Sequence, residues 1–220
     1  MRKYAIIVAG GSGTRMLSEL PKQFLLLNGR PILMHTIEAF NFDGIRIVLV
    51  LPEQQIQYWK TLCEKYSFRI LHNIIQGGET RFNSVKNGLN SIEDKEGLVA
   101  IHDGVRPLID RSIISMSFTQ AESHGNAITS VSLKDSLREV SSGSNRSVDR
   151  AAFRLIQTPQ TFQLDLIKTA FEVPFQPTFT DDASVFENSG KSIHLIDGDY
   201  RNIKITTPED LLVVESFLVG

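Results

Sequence analysis

The chain alternates between short apolar runs and longer stretches whose apolar residues recur every three or four positions. Ala5–Val8 is a continuous apolar run, the pattern of a strand buried on both faces. Over Pro31–Phe40 the positions Ile32, Leu33, Thr36, Ile37 and Phe40 fall on one side of a helix. Ile45–Leu51 predicts a second buried strand, closed by Pro52, and Glu53–Tyr66 a helix. A strand over Arg69–Ile75 and a helix over Arg81–Ile92 follow, the latter with Val85, Leu89 and Ile92 inward. Leu98–Ile101 predicts a strand, Arg111–Ser123 a helix and Ala127–Val131 a strand. Strands and helices alternating over short connections imply βαβ units and an α/β fold, with a mostly parallel sheet covered by helices.

The rhythm breaks between Ser130 and Gln157, where helical spacing disappears. Val131, Leu133, Asp135, Leu137 and Glu139 alternate, and Ser141-Ser142-Gly143-Ser144-Asn145 is a turn cluster. A long hairpin with few apolar residues at its tip is expected over 132–156. Such a hairpin is marginal alone and needs something to lean on. Beyond it the pattern predicts helices over Leu164–Phe171 and Asp181–Asn188, strands near Ser192–Ile196 and Asn202–Thr206, and a last helix from Pro208. No repeat or linker divides the chain, so residues 1–220 are expected to form one domain carrying one arm.

Composition narrows the function. The 220 residues hold 23 Lys+Arg against 25 Asp+Glu, a net charge of −2, which argues against a dedicated nucleic-acid binder. A single cysteine, Cys63, allows neither an internal disulfide nor a cysteine zinc site and suits a reducing compartment. No apolar run reaches the ~20 residues of a membrane span, and the apolar stretch after Tyr4 is too short for a signal sequence. A cytoplasmic protein without membrane association is expected.

Ala9-Gly10-Gly11-Ser12-Gly13-Thr14-Arg15-Met16 follows the first strand directly. Glycines let a backbone turn sharply and present N–H groups to an anion, helped by a helix N-terminus. It is neither a Walker A loop nor the dinucleotide fingerprint, whose third glycine is replaced by Met16. An NAD-dependent oxidoreductase is therefore disfavoured. Arg15 and Lys22 flank the loop closely, as neutralising a triphosphate requires. Asp103 ends a buried strand, where open α/β sheets place ligands, and a carboxylate there suits a hard cation such as Mg²⁺. Ser84 lies in the first turn of a helix after Gly77-Gly78-Glu79-Thr80, which ordinary capping also explains. Arg106 follows Asp103 and is a candidate phosphate contact. Thr180 or Asp181 caps a helix, Thr207 with Pro208 starts another, and Ile203 and Ile205 alternate around Lys204. The five histidines lack metal-ligand spacing, and His102 reads as structural.

Ala9–Met16 followed by Pro21-Lys22-Gln23-Phe24 resembles the signature of the sugar-nucleotide pyrophosphorylase-like nucleotidyltransferases. The later motifs, Ile101-His102-Asp103-Gly104-Val105-Arg106-Pro107, Gln157-Thr158-Pro159-Gln160 and Asn202-Ile203-Lys204-Ile205-Thr206, are similar to those of the 2-C-methyl-D-erythritol 4-phosphate cytidylyltransferase family. The resemblance implies a three-layer Rossmann-like fold with a protruding β-arm. It implies transfer of a cytidylyl group from CTP to the polyol phosphate with release of pyrophosphate, in non-mevalonate isoprenoid precursor biosynthesis. By resemblance, Arg15 and Lys22 are catalytic, and Ala9, Gly10, Gly11, Gly13, Gly78, Glu79 and Ser84 hold CTP. Asp103 holds Mg²⁺, while Arg106, Ser136, Arg150, Thr180 and Lys204 hold the polyol phosphate. The arm would embrace a second subunit and bring Arg150 to its neighbour's site, making a homodimer. Ribitol 5-phosphate remains an alternative acceptor at this stage, and a non-catalytic nucleotide-binding module is an alternative of another class.

Overall fold

The computed structural model of the protein describes residues 1–10 and 20–218. A seven-stranded sheet runs through it, built from β1 (Lys3–Val8), β4 (Arg46–Leu51), β5 (His72–Gln76), β6 (Leu98–Asp103), β7 (Asn126–Ser132), β10 (Arg154–Gln163) and β11 (Leu195–Asp197). Their order is β11-β7-β10-β6-β1-β4-β5. Only β10 is antiparallel to its neighbours in this sheet; the other pairings are parallel. Two short ribbons stand apart: β2 (Leu26–Leu27) with β3 (Arg30–Pro31), and β8 (Leu137–Ser141) with β9 (Ser144–Val148).

Strand alternation divides the core. Ala5 and Ile7 of β1 face one apolar cluster, whereas Tyr4, Ile6 and Val8 face the other. The first cluster is covered by α1 (Ile32–Phe40), α2 (Glu53–Lys65) and α4 (Arg111–His124). The second is covered by α3 (Arg81–Asn90), α5 (Leu164–Ala170) and α6 (Asp182–Asn188). This is the helix-covered, mostly parallel α/β sheet expected from the apolar rhythm, in the three layers that the family resemblance implied. Trp59 and Phe118 on one face and Phe162, Phe171 and Phe186 on the other are fully buried, each contributing about 1.5–3 kcal/mol or more. A third, smaller cluster holds Val105, Ile205 and Val214 beneath α7 (Pro208–Ser216).

Local signals set several boundaries. Asp181 caps α6 and Thr207 caps α7, each in a reciprocal capping box, with Pro208 in the first turn of α7. Gly125 closes α4 with a left-handed φ of 84°. Three expectations need correction. β5 begins at His72 rather than Arg69, because Ser67 turns with φ 50° and Phe68 packs into the core beneath a loop. Asn202–Thr206 forms no strand; it is a coil segment that meets Val105 through one backbone bond, Ile205 N–H to Val105 O, 3.0 Å. The 132–156 hairpin is shorter than expected: its returning strand β9 ends at Val148, Arg150–Ala152 form a 3-10 turn, and the chain from Arg154 onward is β10, which runs on into the middle of the sheet. A proline in a central strand normally argues against that assignment. Here Pro159 sits where the pairing with β7 shifts register, between Ile156 and Gln160. The polar side chains of β10 are also satisfied internally, as in Thr161 Oγ1 donating to Ser117 Oγ at 2.8 Å.

No helix among the described residues is long and apolar enough to cross a membrane.

Candidate active site

The strands β1 and β6 lie side by side, with Val8 opposite Asp103 at their C-terminal ends. Strand order reverses there: β4 and β5 add on one side of β1, while β6 and its followers add on the other. Ligands of open α/β sheets bind beyond such a reversal. The described residues form two adjoining clefts at this point. One is lined by Ala9, Gly10, Lys22, Gly78, Glu79, Thr80 and Ser84, the other by Arg106, Thr158, Gln160, Thr180 and Asp181. Arg81, Asp103 and Lys204 line both.

Each wall has a local cause. Lys22 opens a 3-10 turn over Lys22–Phe24. Gln23 anchors that turn by donating to Ala9 O at 2.8 Å and to Gln55 Oε1 at 2.6 Å, and Phe24 packs edge-on against Tyr58. The turn therefore holds Lys22 beside the residues that follow β1. Across the cleft, Gly78 N–H donates to Ser84 Oγ at 3.1 Å, folding the loop onto the first turn of α3. A Cβ at Gly78 would lie 2.4 Å from the Asn83 Cβ, so no larger residue fits that loop. At Gly104 a Cβ would meet Ala9 Cβ at 2.8 Å, so the two strand ends approach closely only because that side chain is absent.

Asp103 is the electrostatic centre, with only 7% of its surface exposed. Lys204 Nζ lies 3.1 Å and Arg106 Nε 3.2 Å from its Oδ2, and Arg81 Nε lies 3.6 Å from Oδ1. Burial alone would push this carboxyl up, but Arg81, Lys204 and Arg106 together hold it far below the usual carboxylate range. The three cations therefore favour the ionised form of Asp103 at neutral pH. Burial pulls Arg106 down from its ordinary value, and Asp103 opposes that pull. Arg106 also donates to Asn202 O at 2.7 Å, which draws the Lys204 segment towards the site. Lys204 points to Asp103 while Ile205 is buried on the other side, the orientation that the Ile203–Ile205 alternation predicted without a strand to carry it. His102 is enclosed behind Asp103, and burial lowers its pKa to about 4. Its Nδ1 meets Thr158 Oγ1 at 3.0 Å and its Nε2 meets Arg106 O at 3.2 Å, so it braces the site rather than facing it.

The structure thus gathers Ala9, Gly10, Lys22, Gly78, Glu79, Ser84, Asp103, Arg106, Thr180 and Lys204. Gly11, Gly13 and Arg15 lie outside the described residues. Ser136 and Arg150 do not join the clefts of their own chain. Both are exposed near the arm, and Arg150 donates to Lys134 O. Sequence reasoning assigned no role to Arg81, whose guanidinium lines both clefts and forks onto Asp182. Its position three residues after Gly78 was the available signal; the partner 101 positions away was not. No group of three or more His, Cys, Asp or Glu gathers among the described residues. Among the described residues, Asp103 is the buried carboxylate that lines both clefts, with Glu79 lining the first and Asp181 the second.

A Rossmann-like sheet with twin cation-lined clefts at its strand reversal is an arrangement suited to a nucleotidyltransferase, which must hold two phosphorylated substrates side by side. The chain belongs to the IspD family, 2-C-methyl-D-erythritol 4-phosphate cytidylyltransferase, whose family model matches residues 4–219. A relative of that name from Azobacteroides pseudotrichonymphae is 51% identical over 99% of each chain. One from Bacteroides thetaiotaomicron is 47% identical over 99% of this chain and all of its own. Among solved structures, the 4-diphosphocytidyl-2C-methyl-D-erythritol synthase of Anaerococcus prevotii superposes with TM-score 0.85 at 28% identity, over 100% of this chain and 96% of its own. The 2-C-methyl-D-erythritol 4-phosphate cytidylyltransferase of Thermus thermophilus superposes with TM-score 0.81 at 27% identity over 100% of both chains. The family expected from the ordered motifs is the one to which the chain belongs.

Proposed function

We propose that the protein joins 2-C-methyl-D-erythritol 4-phosphate to CTP, releasing pyrophosphate and a CDP-linked methylerythritol that feeds isoprenoid precursor synthesis in the cytoplasm. The observation that carries this reading is Asp103, which lies between two clefts with Lys204 and Arg106 within 3.2 Å of one of its oxygens. One cleft suits a nucleotide and the other a small phosphorylated acceptor, with their phosphates meeting at the shared wall.

The attacking group is an oxygen of the acceptor phosphate, and the electrophile is the α-phosphorus of CTP. A new P–O bond forms, and the bond to the β-phosphate oxygen breaks with its electron pair leaving on pyrophosphate. The nucleophile is already largely ionised at neutral pH, since a phosphate monoester has a second pKa of about 6. No general base is needed, and His102, neutral and enclosed, offers none. The difficulty is bringing two polyanions together, which positioning and preorganised cations overcome. Lys22, with Arg15, takes the role of neutralising the triphosphate and the transition-state charge. Gly78, Glu79 and Ser84 take the base, alongside Ala9, Gly10, Gly11 and Gly13 at the phosphates. Arg106, Thr180 and Lys204 take the acceptor phosphate.

Mg²⁺ characteristically binds through one or two carboxylates and completes its shell with water and substrate phosphate oxygens. The buried Asp103, ionised and facing both clefts, fits that donor set. Bound there, the ion would supply charge neutralisation at the triphosphate. We assign the 132–156 segment to an arm that reaches a second copy of the chain and delivers Arg150 and Ser136 to its acceptor cleft, within one functional unit spanning residues 1–220. The exposed positions of both residues support that reading.

The test is pyrophosphate release from CTP and Mg²⁺ with 2-C-methyl-D-erythritol 4-phosphate, and in parallel with ribitol 5-phosphate. Release with the first acceptor is expected. Release with the second alone would overturn the acceptor assignment, and release with neither would overturn the activity.

A further inference from the structure

We infer that Arg81 is a positioning residue that ties the nucleotide-side loop to the acceptor-side loop and so sets where Thr180 stands. The inference rests on the proposed function. Arg81 is the first residue of α3, directly after the loop containing Gly78 and Glu79, and Thr80 caps the same helix. Its two terminal nitrogens donate to Asp182 Oδ1 at 2.8 Å and Oδ2 at 2.7 Å, a bidentate fork. Asp182 is the first residue of α6 and is only 1% exposed. The remaining guanidinium nitrogen, Nε, faces Asp103 Oδ1 at 3.6 Å. One planar group therefore touches the start of the acceptor-side helix and the carboxylate between the clefts.

A second contact of different chemistry grips the same loop. Phe82, next to Arg81, stacks on Phe171 at 4.8 Å and on Phe179 at 5.6 Å between ring centroids. Phe179 and Asp182 bracket Thr180. Both ends of the short segment carrying Thr180 are thus held by consecutive residues of α3. The start of α6 is itself preformed, since Asp181 and Ser184 cap it reciprocally and Gln160 donates to Asp181 at 2.8 Å. What α3 adds is its placement against the nucleotide side. A buried ion pair is a poor device for stability, because desolvating two charges offsets their attraction, but its fork geometry fixes orientation. The fork is spent on Asp182, so Arg81 acts through that residue and Thr180.

The experiment compares Arg81→Lys, which keeps the charge and loses the fork, with Asp182→Asn and with the double variant. CTP binding is measured by calorimetry without acceptor, and the KM for the polyol phosphate from pyrophosphate release. Each single variant should raise the acceptor KM about tenfold or more while CTP affinity changes less than about threefold, the loss of one charge-assisted fork being felt on one side. The double variant should be no worse than the poorer single one, because both changes remove one interaction. Parallel losses in both substrates, or effects that multiply in the double variant, would overturn the inference. Thermal melting identifies a variant that does not fold, in which case the other single variant carries the comparison of the two substrates. Wild-type protein that releases no pyrophosphate defeats the proposed function; active wild type with unchanged acceptor KM in the variants defeats the role of Arg81 alone.

Discussion

The Asp103 cluster and the 132–156 arm use similar residues in opposite circumstances. Around Asp103, arginine and lysine converge on a buried carboxylate from α3, the β6 turn and the segment before α7. In the arm, Arg146 pairs with Glu139 and Arg138 with Asn145 across β8 and β9, and every residue from 138 to 147 is exposed. Exposed pairs of that kind contribute about 0–1 kcal/mol, whereas charges in a desolvated cluster shift each other's protonation strongly. The arm base also exposes apolar surface: Phe153, Leu155 and Ile156 are 46%, 52% and 41% exposed. The Asp103 cluster is organised by its own chain. The arm is a two-stranded ribbon on an apolar base that this chain leaves uncovered, which is the physical argument for the second copy proposed there.

Four measurements would break or sharpen that contrast. The largest effect is expected for Asp103→Asn, which keeps the shape but removes the charge at the centre of the cluster. Turnover should fall about 10³-fold or more, the scale of losing a preorganised electrostatic group that is also the proposed metal ligand. A variant retaining a tenth of wild-type pyrophosphate release would show that the cluster is not the reaction centre. Lys22→Ala should cost about 10²-fold in turnover, as for one lost preorganised donor, and near-normal turnover at saturating CTP would remove Lys22 from its role.

The arm is tested by complementation. Lys22→Ala and Arg150→Ala chains should each be impaired alone. Unfolded together and refolded as a mixture, they should recover about a quarter of wild-type activity, because half the dimers are mixed and each of those has one intact site. No recovery would place Arg150 in the site of its own chain or outside it altogether.

The smallest effect concerns pH. Burial lowers His102 to about 4, against about 6.5 in an unfolded chain. The fold thus disfavours the protonated form, and its contribution is intact above pH 6.5. It is lost as pH falls towards 4, at up to about 1.4 kcal/mol per pH unit for one proton. Burial lowers His35 and His72 as well, so they act in the same direction. Thermal melts from pH 7.5 to 4.5 should show this slope, and His102→Gln should flatten it. Residues 132–156 contain no histidine, so deleting the ribbon should leave the slope unchanged.

Much of the site was legible because it sits where local patterns end. Asp103 closes an apolar run, Lys22 follows a proline beside the glycine loop, and Thr207-Pro208 announces a helix start. The central course of β10 was not legible, since Gln157-Thr158-Pro159-Gln160 carries no strand pattern and is stabilised by contacts to β6 and β7. Arg81 was equally hidden. Its neighbours in sequence mark a loop, but its partner Asp182 is brought to it only by the tertiary fold, in which α5 packs against both α3 and α6.

By itself, the sequence determined the alternating α/β layers, the family and most of the residues that line the two clefts. Those follow from apolar periodicity, capping and ordered motifs, all of which act over a few residues. Tertiary structure alone decided that Val8 lies beside Asp103, that three cations share one carboxylate, and that Arg81 bridges the two sides. These depend on sheet register and helix packing between segments up to 101 residues apart, and no local pattern encodes a distance of that kind.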